Sequence, residues 1–254
     1  MDKILVDSII NKLKNCTGKV GFYYKNLITK EELAYQENES FIAASIIKLP
    51  IFAQVIKVSS EHRLDLGKEV QIRKEDILPS CGAINLFSSE PRLDLRTICN
   101  FMIALSDNTA TNIMIRECGI AALNAGFQEM GLMKTRLERP LFDETASMAG
   151  KDNYFTPAEI AMLLESLYAE RFVSSAVSKD ILQTLKMQNI NYKIPGLMAE
   201  RFEVAHKTGE DDGITHDAGI VYCDQPFIIV FASNGTDVGH FENLIRETSL
   251  RLTE

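Results

Sequence analysis

The chain has 254 residues, 46% of them apolar, enough to bury a full core as one large domain or two interleaved lobes. Its formal net charge of -8 argues against nucleic acid or an anionic membrane surface as the main partner. No stretch approaches the roughly 20 consecutive apolar residues that a membrane-spanning helix needs. In chain order, Ile4, Leu5, Ile9, Ile10 and Leu13 recur at helical spacing and predict an amphipathic helix rather than a signal peptide. On that reading the protein is cytoplasmic as the sequence stands, or exported if a leader has been removed.

Lys19 to Leu27, rich in Val20, Phe22, Tyr23 and Tyr24, predicts a strand, and a polar turn near Thr29-Lys30-Glu31 returns the chain through a second strand ending near Tyr35. From Ala44 the period becomes helical, and Ile46, Ile47, Leu49, Phe52, Val55 and Ile56 predict a mostly apolar central helix. Pro50 cannot donate to the Ile46 carbonyl, so it must kink this helix or displace its start. Helices follow over Leu93 to Leu105 and Thr109 to Cys118. A further one starts at the capping box Thr156-Pro157-Ala158-Glu159 and runs to about Glu170, and another spans Ser175 to Met187. Strand character returns at Arg201 to Gly209, Asp217 to Cys223 and Pro226 to Ser233, with a turn at Glu210-Asp211-Asp212-Gly213 after the first of these. An amphipathic helix over His240 to Leu252 closes the chain. Strands from both chain ends thus predict one five-stranded antiparallel sheet of an α+β fold, flanked by the terminal helices. The expected unit is a single domain over 1-254, with a sheet lobe of about 1-44 and 190-254 and an all-helical lobe of about 45-189 inserted between them.

Three short segments carry the chemistry: Ser45-Ile46-Ile47-Lys48, Ser106-Asp107-Asn108 and Lys207-Thr208-Gly209. Each alone is explained as well by a helix cap or an ordinary lysine; the ordered set is what is specific. Ser45 at a helix start is a hydroxyl nucleophile where negative charge is favoured. Lys48 lies one turn on among Ile46, Ile47 and Leu49, in a setting that desolvates its amine and makes it a base. Ser106 can relay a proton, and Asn108 can hold a substrate amide. Lys207 can fix an anionic group or tune Ser106, Thr208 can bond a carboxylate, and Gly209 permits close approach to the strand backbone. Cys16, Cys81, Cys99, Cys118 and Cys223 contain no C-x-x-C pair. His62, His206, His216 and His240 fit no ligand spacing, so no metal or other cofactor is expected.

These segments, in this order, resemble those of the penicillin-recognising serine hydrolases, and within them the class A β-lactamases. Phe41-Ile42-Ala43-Ala44 before Ser45, the run Ser106 to Asn112, Ala205-His206 before Lys207, and Ser80-Cys81-Gly82 all look like family blocks. Thr135-Arg136-Leu137-Glu138-Arg139 resembles the entry to the family's omega loop, and Thr156-Pro157 its exit. The resemblance implies that Ser45 is acylated with the help of Lys48, that Ser106 protonates the leaving nitrogen, and that Lys207 and Thr208 bind the substrate carboxylate. It also implies an oxyanion hole of the Ser45 and Glu210 backbone N–H groups. The pattern breaks in one place: the glutamate that activates the deacylating water falls, counting from Arg139, on Leu141. Asp143 and Glu144 are expected to be solvent-facing loop charges, the alternative being that a rearranged loop brings one of them to the site, and Asp152 is expected to partner Arg139. The reading is therefore a serine β-lactamase-type hydrolase with slow or rerouted deacylation. The alternatives are a D-alanyl-D-alanine peptidase or esterase-like enzyme, and a β-lactam-binding sensor that traps the acyl-enzyme. A small-molecule β-lactam or acyl-peptide is the expected substrate of a monomeric chain.

Overall fold

A computed structural model describes residues 2–254. Helix α1 (Lys3–Lys14) is capped by the Asp2 carboxylate, and β1 (Lys19–Asn26) pairs with β2 (Glu32–Tyr35) as a hairpin. A short β3 (Phe41–Ile42) enters a 3-10 turn over Ala44–Ile47, from which α2 (Lys48–Ser60) continues. Next come β4 (Glu69–Gln71), β5 (Arg92–Asp94), α3 (Leu95–Ala104), α4 (Asn108–Cys118), α5 (Ile120–Glu129) and α6 (Glu144–Met148). Then β6 (Tyr154–Phe155), α7 (Pro157–Tyr168) and α8 (Ser175–Lys186) lead to β7 (Glu203–Asp211), β8 (Ile214–Tyr222), β9 (Phe227–Asn234) and α9 (Val238–Arg251).

The main sheet has the order β2-β1-β9-β8-β7, with every neighbour antiparallel, so strands from the two chain ends meet as expected. Period-two alternation decides which side chain goes to which layer. On β9, Ile228, Val230 and Ala232 join the core shared with α2, α7 and α8, whereas Phe227, Ile229 and Phe231 join the core under α1 and α9. Both faces are therefore covered, which is why these strands read as nearly unbroken apolar runs. Helix α2 is buried from Lys48 to Ile56, and each large apolar side chain in that run contributes about 1.5–3 kcal/mol.

Several local expectations change. Pro50 displaces the start of α2 rather than kinking it: it is the third residue of that helix, where its missing N–H has no intrahelical partner to lose. The acidic turn expected at Glu210 to Gly213 is shorter, because Glu210 and Asp211 stay in β7 and pair with Thr215 and Ile214. Cross-strand pairing overrides the turn tendency of that acidic run. Helix α5 is not anticipated by the sequence reading; it starts at Ile120, just after Gly119, whose φ of 81° ends α4. The inserted lobe is also not wholly helical, since β4 and β5 pair within it and β6 pairs with β3.

Candidate active site

Ser45 sits in the 3-10 turn just before α2. The preceding Ala44 has a φ of 42°, an uncommon conformation for a residue with a Cβ. The segment is anchored on both sides: Ala43 N–H donates to the Asn153 carbonyl (2.7 Å) and Ile42 N–H to Asn234 Oδ1 (3.0 Å). Ser45 lines a cleft of about 550 Å³ together with Cys81, Ser106, Asn108, Leu141, Thr208 and Glu210. Its hydroxyl has no hydrogen-bond partner among the described residues.

Ser106 is held where α3 turns into α4, with a φ of 54°. Asp107 makes that turn rigid. Its Oδ1 caps α4 at Ala110 N–H (2.8 Å), and its Oδ2 accepts from Ala83 N–H (2.8 Å) and Ile84 N–H (2.9 Å), tying the 80–84 rim to the helix. Two buried amines converge on the Ser106 hydroxyl. Lys48 Nζ lies 3.1 Å from it, with further bonds to the Ser106 carbonyl (2.5 Å) and Asn108 Oδ1 (2.8 Å). Lys207 Nζ approaches the same hydroxyl at 2.9 Å and also donates to the Thr208 carbonyl. Burial, reinforced by the neighbouring Lys207 charge, pushes the Lys48 amine well below the usual lysine range. Burial also lowers Lys207, to about 7, with Asp217 opposing the shift and Lys193 adding to it.

The β7 end of the cleft depends on residues that sequence reasoning passed over. Lys193 is fully buried; its Nζ donates to the carbonyls of Gly209 and His216 (3.2 Å each) and pairs with Glu210 at 3.1 Å. Tyr192 adds its hydroxyl to the same Glu210 oxygen (2.5 Å). Although burial works against it, Lys193 holds the Glu210 carboxyl below its usual range, so this charge is largely compensated. His206 Nδ1 lies 2.9 Å from Asp217 Oδ1, beside Lys207. His216 bridges the Ile42 carbonyl (2.9 Å) and Ser233 N–H (3.0 Å), and burial pushes it down to about 3, leaving it neutral. A Cβ on Gly209 would lie 2.9 Å from His216 Cδ2 and 3.1 Å from Ile46 Cγ1. The glycine is thus demanded by the nucleophile turn packing on β7. A lone lysine and scattered histidines give no periodic signal; the Lys193 position is visible only once its strand neighbours are known.

The segment 139–153 completes the cleft. Arg139 and Asp152 form the expected ion pair (2.8 Å), and Asn153 Oδ1 accepts from the N–H groups of Glu138 and Arg139. Asn112, in α4, clamps Leu141 by its backbone: Leu141 N–H donates to Asn112 Oδ1 (2.8 Å) and Asn112 Nδ2 to the Leu141 carbonyl (2.9 Å). Asp143 and Glu144 line the cleft instead of facing only solvent, with Asp143 Oδ1 spent on capping α6 at Ala146 N–H. No described helix is long and apolar enough to cross a membrane, and no described group of three His, Cys, Asp or Glu side chains is placed to hold a metal.

Comparison with known proteins agrees with this geometry. The family model described as the β-lactamase enzyme family matches residues 5–254. The chain belongs to that family. It is of the serine β-lactamase type, as the three motifs implied. An imipenem-hydrolyzing β-lactamase of Enterobacter cloacae is 26% identical over 96% of this chain and 87% of its own length. β-Lactamase 3 of Bacillus cereus is 25% identical over 87% of this chain and 71% of its own. Among solved structures, PBP-A superposes with a TM-score of 0.88 at 26% identity, covering 99% of this chain and 95% of that one. A mutant of PBP-A with leucine changed to glutamate, solved as an acyl-enzyme complex with penicillin G, gives the same TM-score of 0.88 over 98% of this chain and 95% of its own.

Proposed function

We propose that this β-lactamase-type hydrolase opens β-lactams through an acyl-enzyme on Ser45 and releases the product slowly. The observation that carries the reading is the convergence of Lys48 and Lys207 on Ser106, in a cleft that also presents the unbonded Ser45 hydroxyl. Ser45 Oγ attacks the lactam carbonyl, and its proton passes to the Lys48 amine, which burial keeps available as a base. The oxyanion is met by the Ser45 and Glu210 N–H groups, worth about 3 kcal/mol each. When the C–N bond breaks, Ser106 gives its proton to the nitrogen and is recharged from one of its two lysines. Lys207 and Thr208 hold the substrate carboxylate, and Asn108, fixed by Lys48, is oriented for the acyl amide. Residues of both sequence lobes line one cleft, which supports 1-254 acting as one unit, with a single copy sufficient.

Hydrolysis needs a base for the attacking water. Leu141, clamped by Asn112, supports a trapped acyl-enzyme as the second reading, and an acyl-enzyme complex with penicillin G has been solved for the leucine-to-glutamate mutant of PBP-A. Labelling with benzylpenicillin, followed by intact-protein mass spectrometry, tests the nucleophile. A single adduct on the native chain and none on a folded Ser45→Ala variant is expected; an adduct that survives in that variant removes Ser45 from the role.

A further inference from the structure

The cleft carries more carboxylates than cations, and pairing decides which of them a substrate feels. Asp152 is matched by Arg139 and Glu210 by Lys193. Asp143, Glu144 and Asp211 also line the cleft, and none of the three has a cationic partner among the described residues. Among the described residues the only bonds of these carboxylates are local: Asp143 caps Ala146 N–H and Asp211 accepts from Asp212 N–H. Thr208, only 1% exposed, lines the same cleft with a hydroxyl that has no partner among the described residues. The cleft therefore offers an anion the free hydroxyl of Thr208, with the buried Lys207 amine behind it on Ser106 Oγ and the Thr208 carbonyl, and uncompensated negative charge elsewhere on its lining.

The geometry points to a preference for zwitterionic acyl donors: a carboxylate seated at Lys207–Thr208, and an ammonium on the acyl side chain facing Asp143, Glu144 and Asp211. Amine-bearing β-lactams and peptides with a free amino side chain belong to this class, and dianionic β-lactams are disfavoured. This inference rests on the acyl-enzyme reading above. Exposed charge pairs contribute modestly and are screened by salt. Three carboxylates acting together correspond to a preference of about 10-fold at low salt.

The test compares second-order acylation rates of the native chain with ampicillin, benzylpenicillin and carbenicillin, which share one bicyclic nucleus and carry an ammonium, no charge and a carboxylate on the acyl side. At about pH 6.5 the amino group is protonated. The expected order is ampicillin, then benzylpenicillin, then carbenicillin, with about 10-fold between the extremes. That spread shrinks several-fold in about 0.5 M salt, and again in Asp143→Asn/Glu144→Gln/Asp211→Asn. The single variant Asp211→Asn and the salt series on native protein keep the test decisive if the triple variant folds poorly. Equal rates, or an order unmoved by salt and by Asp211→Asn, overturn the preference alone. No adduct from any of the three overturns the acyl-enzyme reading and this inference with it.

Discussion

Lys48 and Lys207 lie fully buried behind Ser106, every bond distance at that hydroxyl set by a residue that is itself held in place, whereas Asp143 caps the short α6 and the Glu144 carboxylate at its start bonds no described residue. On the proposed mechanism the first region supplies what acylation needs: a desolvated base, a proton relay and a cation for the substrate. On the same proposal the second is where deacylation is organised, and there Asn112 clamps the Leu141 backbone while the side chain it presents carries no oxygen. Scaffold and chemistry are separable in this cleft. A loop can hold a backbone position firmly without placing a base on it.

That contrast is broken most sharply at Lys48. Replacing it by alanine removes the base and leaves Ser106 and Asn108 without their shared donor, so benzylpenicillin labelling is expected to slow by about 10²- to 10⁴-fold; an unchanged rate would assign the base elsewhere. The converse change is Leu141→Glu, which places a carboxylate on the clamped backbone. The adduct of this variant is expected to decay about 10- to 100-fold faster than that of the native chain, read by its loss in the mass spectrum over time. An unaltered lifetime would mean that position 141 is not where water is activated.

Gly209→Ala pits packing against catalysis within the better-built wall. The added methyl meets His216 and Ile46 inside ordinary contact distance, so a loss of about 1–3 kcal/mol in stability and slower labelling are expected together. Full stability by thermal unfolding would show that the turn of Ser45 can move freely on β7. The smallest effect is with pH. Lys207 is held at about 7 instead of the usual lysine value, so the folded protein loses this cation as pH rises through 7, while the unfolded chain keeps it. Saturation by a substrate carboxylate should therefore weaken a few-fold from about pH 6 to 8 even as the acylation step holds or rises with deprotonation of Lys48. Affinity that strengthens over that range would contradict the assignment of Lys207 to the carboxylate.

Much of this was legible in the chain, and the part that was not has a physical reason. The short apolar stretches of β1, β8 and β9 and the capping box at Thr156 announce elements whose signals are local, and they lie close to where those signals put them. The three motifs also meet in one cleft, since each is short and sits at the edge of such an element. Lys193 and the Asn112 clamp were invisible because their partners are backbone atoms 16 to 29 residues away, and no pattern of residue types encodes those contacts. The displaced start of α2 was signalled by Pro50, though only as one of two outcomes. The pairing of Glu210 with the buried Lys193 likewise follows no residue pattern.

The most direct measurement is a time course of nitrocefin hydrolysis by the native chain, paired with the intact mass after benzylpenicillin. The account predicts a rapid first turnover, slow hydrolysis thereafter and a stoichiometric adduct on Ser45 that outlasts acylation. Steady, rapid turnover without a lasting adduct would contradict it, and would mean that a group other than residue 141 activates the water.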